Sequence, residues 1–192
     1  MDVYQRDNVI ELCAWKDRKG RTYSDAFLEQ HGFHYTNVPG GAISKKLEIT
    51  PRIAPPSVDN LFVEQHVHGP EMMQTICGRS IDTLHSSIVY VWRMGLRESI
   101  PFDHCVDRVN DWNLKPSTVD DLFGLAYLLE KEDVFILGTR ILALGSIVFD
   151  EDGKGFCPCF EKNEKNKEYG LYLHYPVKIQ PSDILLVRHR SG

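Results

Sequence analysis

The chain has 192 residues, with 22 Lys and Arg against 27 Asp and Glu and a formal net charge of −5. That mild acidity argues against broad, non-specific nucleic-acid binding, which needs many cations to neutralise phosphates. Apolar residues make up 42% and charged residues 26%, the balance of an ordinary globular domain, and no apolar run reaches the length of a membrane span.

The N-terminus lacks the apolar centre of a signal peptide, and the five cysteines are an odd number. The expectation is one globular domain over residues 1–192 with reduced thiols. Such a protein belongs in a cytoplasm, or in the host-cell cytoplasm or virion if viral.

Alternating residues from Val9 to Ala14, then the charged run Lys16 to Arg21 around Gly20, predict an N-terminal hairpin with a basic tip. Ser24 caps a predicted short helix through Gln30, which Gly32 would end. From about 36 to 69 the chain reads as an irregular, loop-rich segment. Gly40, Gly41, Pro51, Pro55 and Pro56 punctuate it, and one short strand fits between them. Pro70 and Glu71 open a predicted helix with Met72, Met73, Ile76, Ile81 and Leu84 on one face. Ile88 to Trp92 is β-branched and aromatic, the composition of a buried strand. Pro101 to Asn113 predicts a short helix or loop with Val106, Val109 and Trp112 inward.

Ser117 to Asp150 carries the clearest pattern. Val119, Leu122, Phe123, Ala126 and Leu129 recur at helical spacing. Ser117 stands in the cap position, and Asp120 and Asp121 suit the positive end of the helix dipole. Val134–Leu137 and Ile141–Phe149 then form apolar runs too dense for a half-exposed strand, so both are expected to be covered on two faces. Gly145, inside the second run, marks a bulge or a close backbone approach. Asp150 to Gly155 is a turn signal, and Glu161 to Glu168 reads as an exposed loop. Tyr169–Tyr175 and Ile184–Val187 are the last strands, with an edge piece between Pro176 and Pro181. Strands joined by short turns, with helices in the middle of the chain, predict an α+β fold. Its parts are a mostly antiparallel C-terminal sheet, the N-terminal hairpin, and a few central helices packed on the sheet.

Candidate chemistry is sparse. His66-Val67-His68, with Cys77, supplies imidazole and thiol groups of the kind that ligate zinc. Cys157-Pro158-Cys159 would put both sulfurs on one side of a strand, where core packing is expected. His34-Tyr35-Thr36 and His85-Ser86-Ser87 are two His-x-Thr/Ser units, similar to the short motif of two-histidine phosphoesterases. In that chemistry His34 and His85 act as base and acid, while Thr36 and Ser87 bind phosphate oxygens. The motif covers six residues and His189-Arg190-Ser191 satisfies the same rule, so it assigns no family. The expectation from sequence is therefore a non-catalytic protein-binding or assembly protein with a protein partner, such as a phage or viral component or an adaptor. The alternative is a small His-dependent hydrolase or phosphoesterase, metal-assisted if zinc is held by His66, His68 and Cys77.

Overall fold

The computed structural model describes residues 24–36, 42–52, 86–94, 96, 98–132, 140–149, 152–153, 155–162, 169–174 and 178–189. The expected N-terminal hairpin, the helix from Pro70 and the run Val134–Leu137 lie outside these residues. What is described is helices on a mostly antiparallel sheet. No helix among the described residues is long and apolar enough to cross a membrane.

Helix α1 (Asp25–Gln30) begins where Ser24 Oγ accepts the Phe27 N–H at 3.2 Å, and the chain leaves it through Gly32 at φ 78°. Strands β1 (Phe33–Thr36) and β2 (Ala42–Ile49) pair antiparallel. Here the expected irregular segment gives way to an eight-residue strand. Its alternation is plain once paired: Lys45, Leu47 and Ile49 share one face, and Ser44, Lys46 and Glu48 share the other. The flanking Gly and Pro residues bound the strand rather than break it.

Strand β3 (Ser87–Met94) pairs with β2 along its whole length. After the short β4 (Ile100–Pro101) comes helix α2 (Phe102–Asp111), which buries Cys105 and Val109. Then follow β5 (Leu114–Pro116), helix α3 (Val119–Lys131), β6 (Arg140–Leu142) and β7 (Val148–Phe149). The chain ends with β8 (Gly155–Lys162), β9 (Tyr169–His174), β10 (Lys178–Ile179) and β11 (Ile184–His189).

The sheet is not confined to the C-terminal half. Its order is β1-β2-β3-β11-β6-β8-β7, with β5 also on β11 and β9 on β8. The last strand in the chain thus lies in the middle of the sheet, antiparallel to β3 and parallel to β6. Strands β4 and β10 form a separate two-stranded ladder.

Alternate residues of the same strands feed two cores. Val89, Val91, Ile141, Ala143, Phe156, Phe160, Ile184 and Leu186 point to one face and pack under α3 through Val119, Leu122, Phe123, Leu125 and Ala126. Trp92, Met94, Leu142, Leu144, Cys157, Cys159, Leu185 and Val187 point the other way and pack with Cys105 and Val109 of α2. This double cover is what the dense run Ile141–Leu144 anticipates. Trp92 is 1% exposed and meets Trp112 edge-on, with centroids 4.8 Å apart.

Two glycines let backbones meet. A Cβ on Gly124 would stand 2.5 Å from the Thr50 carbonyl oxygen, so α3 lies directly on the end of β2. A Cβ on Gly145 would stand 2.8 Å from the Ser117 carbonyl oxygen, which accepts the Gly145 N–H at 2.9 Å. The chain turns away from β11 here. β6 flanks Ile184 and Leu185, and β5 takes the same edge from Val187 to His189.

The helix cap is one residue later than the sequence suggests. Thr118 is the N-cap of α3, and its N–H is accepted by Asp121 Oδ2 at 3.2 Å. Ser117 is held back by the sheet, its N–H bonded to the Leu186 carbonyl. The first-turn N–H of Val119 goes instead to Ser146 Oγ at 2.9 Å, a partner 27 residues away.

Candidate functional site

Two ion pairs, one buried and one half-buried, fasten the sheet at opposite ends. Asp183 sits in the turn before β11, where its Oδ2 accepts the Gln180 N–H at 2.8 Å. The parallel register puts Arg140 beside it. Arg140 Nε donates to Oδ1 at 2.9 Å and Nη2 to Oδ2 at 2.8 Å. A bidentate guanidinium–carboxylate pair of this kind is oriented as well as strong. At the other end, Asp121 on the first turn of α3 receives Arg188 of β11, whose Nη2 also donates to Ser87 Oγ at 3.2 Å. Arg52, whose N–H donates to the Asp120 carbonyl, lies over the Tyr127 ring at 4.9 Å.

Ser87 is thus half-buried in a structural network with Arg188 and Asp121. His34 is exposed on β1, opposite Ser44, and Thr36 is opposite Ala42. Ala42 pairs with Met94 and Ile49 with Ser87, so Thr36 and Ser87 stand seven residues apart along β3, with β2 between. That is roughly 20 Å along the strand. The structure does not bring these two hydroxyl residues together. His85, His66, His68 and Cys77 lie outside the described residues. No group of three or more His, Cys, Asp or Glu among the described residues is placed to hold a metal ion.

The expected core role of Cys157 and Cys159 is observed. Both are buried on the α2 side of the sheet, and Cys105 Sγ lies 3.7 Å from Met94 Sδ in the same core. Burial pushes the Cys105 and Cys159 thiols up to about 12, and the Cys157 thiol well above its usual value. These groups are protonated at neutral pH and are poor nucleophiles.

The feature that sequence reading missed lies on the α2 face, at the end of the sheet where β11 finishes. Among the described residues the exposed large hydrophobics are Ile88, at 47%, and Phe149, at 67%. Both lie on one face of the sheet. Leu185 is opposite Trp92 on β3 and Leu142 on β6, and Leu142 is opposite Cys159 on β8. Continuing four residues along β11, His189 is level with Ile88 on one side and pairs with Leu114 of β5 on the other, and Leu114 is buried in the second core. Gly155 pairs with Phe149, and Ile88 with Glu48. Strand alternation puts all of them on the face of Cys157, Cys159 and Trp92.

Each of the two exposed residues borders the second core through a near neighbour in sequence. Tyr90 and Ile147 pack half-buried against that core, one step inside Ile88 and Phe149. The exposed His189 ring meets Tyr90 edge-on, with centroids 4.8 Å apart. Lys46 and Glu48 flank this apolar surface, both exposed. Ile88 and Phe149 lie inside runs that read as buried. The available signal is that each sits at the polar end of its run, Ile88 after Ser86-Ser87 and Phe149 before Asp150-Glu151-Asp152. Compared with known protein families, curated proteins and solved structures, the chain gives no significant match.

Proposed function

We propose that this chain is a non-catalytic protein-binding or assembly protein, and that it binds through the rim carrying Ile88, Tyr90, Phe149 and His189. The observation that supports the reading is that the two exposed hydrophobics lie on the same face of the sheet, Ile88 on β3 and Phe149 on β7. Single exposed apolar residues are common on any protein. Here each is backed by a half-buried side chain of the second core, Tyr90 beside Ile88 and Ile147 beside Phe149, and aromatic anchors dominate protein interfaces. The cellular setting that goes with this reading is a cytoplasm, or a host cell or virion for a viral component.

The test is retention of a protein on the immobilised chain from a lysate of its native source. A protein held by the wild type and lost with Phe149→Asp, at unchanged circular dichroism, is the expected result. If every retained protein binds the wild type and Phe149→Asp equally, the reading is wrong.

A further inference from the structure

We draw no further inference here: the strongest candidate, the edge of β9 (Tyr169–His174) that faces away from β8, pairs with no other strand among the described residues, and nothing in the structure shows what covers it.

Discussion

The two faces of the sheet are made from alternate residues of the same strands, yet they end differently. On the α3 face, the end where β11 finishes is closed by Asp121, Arg188 and Ser87, with the helix start seated on β5 and Ser146. On the α2 face the fastening pair, Arg140 with Asp183, lies at the opposite end. There the end near His189 has Ile88 and Phe149 in solvent instead. Each face is pinned at one end by a carboxylate, and at the other end of the α2 face two large apolar side chains meet solvent. The proposed binding surface rests on this exposure.

The comparison breaks most severely at the pinned ends. Asp183→Ala leaves Arg140 buried without its carboxylate, and a loss of about 3–5 kcal/mol is expected in urea unfolding. Asp121→Ala should lose less, about 1–3 kcal/mol, because the Arg188 side chain is 35% exposed and can turn to water. Equal losses at the two sites would mean that burial of the cation does not separate the two ends.

Gly124→Ala tests how tightly α3 closes its face. Helix propensity alone favours Ala by about 1 kcal/mol. The approach of Thr50 predicts the opposite sign, a destabilisation of about 1–3 kcal/mol. A stabilised variant would show that α3 has room to rise from β2.

The thiols probe the depth of the α2-side core by pH. Burial holds Cys105 and Cys159 protonated in the folded state up to about 12, against 9.0 for the unperturbed group. The folded state therefore binds more protons than the unfolded one between those values. Stability from this source is complete below about 9 and falls as pH climbs towards 12. A disulfide-exchange reagent at pH 8 should leave Cys105, Cys157 and Cys159 unlabelled in the native protein and label them in denaturant. Fast native labelling of any of the three would show that the core opens on that side.

The smallest expected change in stability sharpens the contrast most. Ile88→Asp and Phe149→Asp should shift unfolding by no more than about 0.5 kcal/mol, since both side chains already face water. Phe123→Ala, under α3, should lose about 3–5 kcal/mol by comparison. A large loss at Phe149 would make it a core residue and remove it from the binding surface.

Local pattern alone determined the elements whose partners lie close in the chain. Ser24 to Gln30 forms the helix that its cap and closing glycine describe, and the stripe from Val119 to Lys131 forms α3. The dense apolar run Ile141–Leu144 announced a strand covered on both sides, and the turn after Phe149 announced the pairing of β7 with β8. Tertiary structure decided the rest, because the deciding partners are far away in sequence. The Leu186 carbonyl holds Ser117 in the sheet and moves the cap to Thr118. Pairing with β3 turns a segment read as irregular into β2, and β11 enters the middle of the sheet only by binding β3, β5 and β6 together. The exposure of Ile88 and Phe149 belongs to the same class. Period-two alternation assigns a side chain to a face, but only what packs along that face settles whether it meets protein or water.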